Sequence, residues 1–366
     1  MFPLPPTAAV LARSKIKVTG PASACASSPM LGPAPRRARA GSRPAAQCLA
    51  LLIALCLAST VPRCAARLVG AAVIPHGDFA VAPERTPAFG RLAAQRVHRG
   101  AKRAARLAKA VQPDVTVLVT PHGQAVSSEF LFYLNGHANG FAPIGQDLHN
   151  SSEPIQNIPA RFDIDVNLTN AILRAPLCGG RCTGLTTFAD LEPQPLRWGE
   201  VIPASLLSQA CNRTKFVVIS VPSKRHDSSA AMVPELLELG RGLGQLLDEQ
   251  GVRVMLLLSS DLAHTHRQDG PYGFSPTAAP FDAAIGQWAT DPAGMGASLT
   301  ETARDLVDRA LSCGFPSLVL AHGAMEATGL AEGKWASTIL ALEAPTYYGM
   351  LVAWFERREE LSLAAS

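Results

Sequence analysis

Three histidines stand where a metal-centred reaction could use them. His76 lies in Pro75-His76-Gly77, directly after the apolar run Leu68 to Ile74 (LVGAAVI). His122 lies in Pro121-His122-Gly123, directly after Val115 to Thr120 (VTVLVT). Both runs read as short buried strands, so each histidine sits just past a strand's C-terminal end. In open parallel sheets that edge is where ligands bind. Neutral imidazole ligates iron, copper and zinc. One such turn histidine is ordinary; two Pro-His-Gly strand exits in one chain point to a shared metal. The flanking Gly77 and Gly123 are expected to let the chain turn sharply and to leave space beside each ring. His264 follows the run Val252 to Ser259 (VRVMLLLS) within Ser259-Ser260-Asp261-Leu262-Ala263-His264. A neutral ring there can act as general acid or base. His266 is the alternative for that role, among neighbours that read as more exposed.

These edges need a scaffold, and the remaining text supplies one. A helix is expected over residues 91–111, broken by Pro113-Asp114. A third strand follows at Phe216 to Val221, an amphipathic helix at Val233 to Glu249, and the His264 strand at Val252 to Ser259. Further helices are expected near 281–290 and 299–311, an apolar element from Leu318, and a final helix over 347–357. The middle, 130–195, reads as irregular apart from an amphipathic segment over 166–173. Continuous apolar strands separated by helices predict an α/β fold, with a mostly parallel central sheet covered by helices on both faces. Residues 67–366 are read as one metal-binding domain.

Bulk composition excludes some functions and suggests a compartment. The 366 residues are 48% hydrophobic and 17% charged, with a formal net charge of +4. The first acidic residue is Asp78, so the basic excess belongs to the start of the chain and the remainder is near neutral. No basic groove of the kind nucleic acid requires is visible. Residues 1–66 read as a targeting leader: arginines at positions 36, 37, 39 and 43, the apolar run Cys48 to Ala58, then Cys64-Ala65-Ala66. The run is shorter than the ~20 residues that span a bilayer. A signal peptide for the secretory pathway is the first reading. An organellar (plastid or mitochondrial) transit peptide is the alternative, because the segment is acid-free and contains Arg and Ser. Cys178 and Cys182 are spaced for a local disulfide in an oxidising compartment. Glycosylation sequons at Asn150, Asn167 and Asn212 point the same way.

Longer segments carry a family likeness. PDVTVLVTPHGQ (Pro113 to Gln124) resembles the second ligand segment of the LigB-type class III extradiol dioxygenases and their Memo relatives. SSDLAHTHRQDGPYGFSPTAAPFDAAI (Ser259 to Ile285) is similar to their SGDLSH…PYGYSP…FD segment and is the most specific match. RFDIDVNLTNAIL (Arg161 to Leu173) resembles one of their helices more loosely. LSCGFPSLVLAHGAM (Leu311 to Met325) resembles the late segment that supplies the last ligand.

The resemblance implies that His76 and His122 hold a metal and that His264 handles substrate protons. In the ring-cleaving branch a carboxylate completes a two-His-one-carboxylate face on Fe(II), open to a catechol-like aromatic substrate and O2. This chain departs from that pattern at Ser312-Cys313-Gly314, and the Memo branch has a cysteine there. Cys313 is therefore the candidate third ligand, its plainer alternative being a small buried hydrophobe. A thiolate would favour Cu or Zn. Two functions follow: an Fe(II)-dependent extradiol dioxygenase, or a Memo-like metal-binding redox or interaction protein without ring cleavage. A zinc hydrolase is a weaker third, since neither HExxH nor G-x-S-x-G occurs. A homo-oligomer is compatible with the family. Asp261 is expected either to orient His264 or to cap its turn. Tyr272 and His137 are candidate substrate contacts. His322 reads as a core or edge residue, with a place in a pocket wall as the alternative. Lys224, Arg225 and His226 read as a solvated turn that could alternatively attract an anionic substrate group.

Overall fold

The computed structural model describes residues 67–145, 155–208, 211 and 213–358. The expected leader, 1–66, and the sequons at Asn150 and Asn212 lie outside the described residues. In chain order the elements are β1 (Arg67–Ile74), α1 (Arg91–Val111), β2 (Val115–Thr120), β3 (Phe130–Tyr133), β4 (His137–Ile144), β5 (Gln156–Asp163), α2 (Val166–Arg174), β6 (Cys182–Leu185), β7 (Gln194–Leu196), α3 (Trp198–Ser208), β8 (Lys215–Ser220), α4 (Val233–Asp248), β9 (Arg253–Ser259), α5 (Ala278–Thr290), α6 (Arg304–Ala310), α7 (Phe315–Ala327), β10 (Trp335–Glu343) and β11 (Met350–Arg357).

Eight strands form one sheet in the order β10-β11-β1-β9-β2-β8-β3-β6. Its centre, β1-β9-β2-β8, is parallel throughout. Every residue of β2 is buried, as a strand covered on both faces must be. Successive side chains alternate between two apolar layers. Val117 points into the layer that holds Leu236 and Leu243 of α4 and Leu320 of α7. Its neighbour Leu118 points into the layer that holds Val97 and Ala101 of α1 and Val201 of α3. This is the α/β architecture with helices on both faces.

Two expectations need correction. The 347–357 segment is not a helix: β11 pairs antiparallel with β1, with Trp354 opposite Ala72. Its run MLVAWF is apolar on both sides, and a short apolar run does not distinguish a buried strand from a buried helix; the open edge of β1 decides. The middle is not irregular. It contributes β3 and β6 to the main sheet and builds a separate sheet in the order β5-β4-β7. The helix expected over 299–311 is present, as a π-helical turn, Ser298–Ala303, running into α6. Elsewhere, Cys178 and Cys182 form a disulfide.

Parallel pairing sets the geometry of the site. Ile74 is in register with Ser259 and Thr120 with Ser220, so β1, β2, β8 and β9 all end at one edge. The segments beginning at His76, His122, Arg225 and Asp261 leave the sheet there.

Candidate metal centre

His76 emerges from β1 into a buried position, 2% exposed. Its Nδ1 lies 2.9 Å from Ser259 Oγ at the end of β9. That hydroxyl donates its own proton to the Gly199 carbonyl at 2.5 Å, so Oγ accepts from the ring. His76 thus carries its proton on Nδ1 and turns the Nε2 lone pair inward. Burial first, then the neighbouring His122, His264 and Arg225, hold His76 well below the usual imidazole range. Its Nε2 faces Asp261 Oδ2 at 3.2 Å and Cys313 Sγ at 3.3 Å. The His122 ring stands edge-on at 4.7 Å. One donor atom from each of His76, His122 and Cys313 lies within 4.8 Å of the others. Two imidazoles, a thiol and an adjacent carboxylate, with one lone pair preset by its hydrogen bond, are a donor set that fits a divalent transition metal.

His122 leaves β2 with its backbone N–H donating to Thr120 Oγ1 at 3.3 Å, and its ring packs 5.2 Å from Trp198. Space, not backbone strain, explains the glycines. Gly77 has φ −70°, open to any residue, and Gly123 is not among the glycines with positive φ. A Cβ at Gly77 would sit 2.5 Å from the Tyr348 ring, and one at Gly123 2.5 Å from Tyr133 Oη. Both glycines lie in bends, and what each spares is a clash with a neighbouring tyrosine.

Behind His122 lies a buried polar chain. Tyr133 Oη donates to Glu200 Oε1 at 2.8 Å and accepts from the Gln124 N–H at 2.7 Å. The Arg197 N–H donates to Glu200 Oε2 at 3.0 Å. Burial pushes the Glu200 carboxyl up to about 7 and, with the Glu200 charge, the Tyr133 phenol well above its usual range.

His264 stands between two cavities. One, of about 260 Å³, is lined by His76, His122, Trp198, Asp261 and Tyr348, among others. The second, also about 260 Å³, has Arg225, Val307, Leu311 and Cys313 in its wall. Both include His122, His264 and Tyr272. The His264 ring stacks on Tyr348 at 5.8 Å and meets Tyr272 edge-on at 5.8 Å. Its loop is braced by Asp282, which accepts from the Ala263 N–H at 3.0 Å and pairs with His266 Nε2 at 2.8 Å. His266 is thus occupied in holding the loop rather than facing a cavity.

The other expected residues divide. Tyr272 lines both cavities. Asp261 was expected either to orient His264 or to cap its turn; its carboxylate lies 3.2 Å from His76 Nε2. His137 is not brought to the site: it is exposed on β4, 2.8 Å from Asp163, and lines neither cavity. His322 is buried away from the centre, its Nδ1 accepting from Trp288 Nε1–H at 3.1 Å. Sequence reasoning missed Ser259, Trp198, Glu200, Tyr347 and Tyr348. Ser259 carried a signal, as the polar last residue of an apolar strand. The tyrosines were absorbed into a supposed helix, and Trp198 to Glu200 border the stretch read as irregular.

Residues 70–352 match the family described as the catalytic LigB subunit of aromatic ring-opening dioxygenase. Protein CA_C1420 of Clostridium acetobutylicum is 23% identical over 268 residues, 71% of this chain and 52% of that protein; the chain spans about half its length. The crystal structure of an uncharacterized protein from Escherichia coli, JW3007, is similar at 16% identity, covering 78% of this chain and 99% of that one, with a TM-score of 0.46.

Proposed function

This chain belongs to the family of the catalytic LigB subunit of aromatic ring-opening dioxygenases, and on that premise we propose that it is a non-haem Fe(II)-dependent extradiol dioxygenase acting on a catechol-like ring with O2. One observation carries this reading: Asp261 Oδ2 lies 3.2 Å from the inward Nε2 of His76. It offers the carboxylate that Ser312-Cys313-Gly314 lacks, beside two imidazoles. Iron(II) held there would supply open positions for the catechol oxygens and for O2. His76, His122 and Asp261 bind. His264, shared by both cavities, takes a proton from a substrate hydroxyl and later returns it. Tyr272 and Tyr348 orient its ring, and Trp198 with the tyrosines shields the site from water.

A second reading rests on Cys313 Sγ, 3.3 Å from the same Nε2. A thiol inside the donor set favours a Memo-like protein that binds copper or zinc without cleaving a ring. One experiment separates the two. The full chain, purified anaerobically, is analysed for metal and assayed with a panel of catechols under O2. Iron with ring-opened product, both lost in the His76→Ala/His122→Ala variant, supports the dioxygenase. Copper or zinc with no product replaces it with the second reading. Metal retained by the double variant overturns both.

A further inference from the structure

We propose that a cavity between α4, α7 and the π-helical turn, remote from the metal donors, is a second binding site, and that its ligand is a neutral aliphatic alcohol held by His322 and Glu326. The cavity encloses about 610 Å³, more than twice the volume of either cavity at the metal centre, and shares no lining residue with them. That size suits a small molecule, whose pockets run to about 300–1,000 Å³. The spacing of residues builds the wall. Leu237, Arg241 and Gln245 recur at every fourth position of α4, and His322 and Glu326 stand four apart on α7, so each set shares one helical face.

His322 is only 4% exposed. Its Nδ1 accepts from Trp288 Nε1–H at 3.1 Å, so the neutral ring carries its proton on Nε2. Burial chiefly holds the ring below the usual imidazole range, with Glu326 opposing and Arg241 assisting. Nε2–H faces Glu326 Oε1 at 3.4 Å, beyond the ~2.7–2.9 Å of a charge-assisted hydrogen bond. Glu326 Oε2 is taken by the Arg241 guanidinium, at 2.8 Å from both Nε and Nη2. A buried donor and a carboxylate oxygen thus stand side by side without closing on each other. A Cβ at Gly296 would lie 3.2 Å from Nε2, so the bare glycine leaves the approach to that nitrogen open. One hydroxyl completes the pair: its oxygen accepts from Nε2–H and its O–H donates to Oε1.

The surroundings specify the rest of the molecule. Arg241 and Nε2–H disfavour a cation, and Glu301 and Glu326 disfavour an anion. Leu237, Pro292, Ala297 and Leu330 supply apolar wall. Among the described lining residues His322 has the sole aromatic ring, so an aliphatic chain fits better than a flat ring that would seek ring partners. The π-helical turn, a feature frequent at functional sites, brings Thr300 and Glu301 to the rim.

The test is a ligand-detected NMR titration of the full chain with two isomers, 1-pentanol and butyl methyl ether. The ether accepts from Nε2–H but cannot donate to Glu326. Saturable binding of the alcohol, about 3- to 10-fold tighter than the ether, is expected. Gly296→Ala covers Nε2 and Glu326→Leu removes the acceptor; each is expected to abolish the preference. No saturable binding of the alcohol, equal affinity for the ether, or a preference that survives in either folded variant overturns the site. Tighter binding of pentanoate or pentylammonium than of 1-pentanol also overturns it, by making the cavity an ion site. Circular dichroism checks the fold of each variant, and should Gly296→Ala unfold, the partly exposed Glu326→Leu decides alone. The cavity and the metal centre have no residue in common, so neither outcome bears on the dioxygenase reading.

Discussion

Ser259 fixes which nitrogen of His76 is free. It accepts from Nδ1 at 2.9 Å and passes its own proton to the Gly199 carbonyl at 2.5 Å, so the β9 terminus sets the tautomer of a residue that follows β1. Ser259→Ala removes that hydrogen bond without touching a proposed metal donor. Metal affinity, measured against a competing chelator, is expected to fall about 10- to 100-fold with the fold intact. Unchanged affinity would show that packing alone orients the ring.

Asp261 and Cys313 both approach His76 Nε2, at 3.2 and 3.3 Å, and substitution separates them. In the dioxygenase reading Asp261→Asn lowers iron affinity at least about 10-fold, the scale reported for perturbed metal surroundings, while Cys313→Ala has a smaller effect. The opposite ranking in an iron titration assigns the third position to sulfur.

His264 faces both cavities but is outside the group of converging donors. His264→Gln is expected to leave metal content unchanged and to reduce ring-cleavage turnover by about 10²- to 10⁴-fold, the range for a lost general acid–base group. Loss of metal along with activity would make His264 a ligand instead.

Glu200 should mark the pH dependence of stability. Burial raises its carboxyl from 4.5 to about 7. A folded-state value above the unfolded one means that its contribution is fully present below about 4.5 and is lost as pH climbs through about 7. The difference corresponds to ~3 kcal/mol. Urea unfolding should therefore show stability falling between pH 5 and pH 8, and Glu200→Gln should flatten that fall. An equal slope in the variant would place the pH dependence elsewhere.

Some of this was legible in the chain itself. The parallel centre of the sheet follows from apolar runs such as VTVLVT and VRVMLLLS, which can be buried on both faces only between helices. Two histidines directly after such runs had to leave the same edge once the strands lay parallel. The likeness of Ser259 to Ile285 to a known segment singled out His264. Local pattern set these features, because strand burial and strand ends are written in consecutive residues.

The rest needed the tertiary structure, because it depends on contacts between residues far apart in the chain. MLVAWF is a strand only because the edge of β1 is open beside it. Asp261 meets His76 because the Ile74–Ser259 register places the two strand ends side by side. The His76 tautomer is set by a hydroxyl 183 positions away. Arg225, ordinary in sequence, became a buried cation when the β8 exit folded against His122 and α6. Residue types and strand ends determined which groups could do chemistry; register and packing decided which face one another, since a hydrogen bond or a shared metal requires a few ångströms that no spacing along the chain encodes.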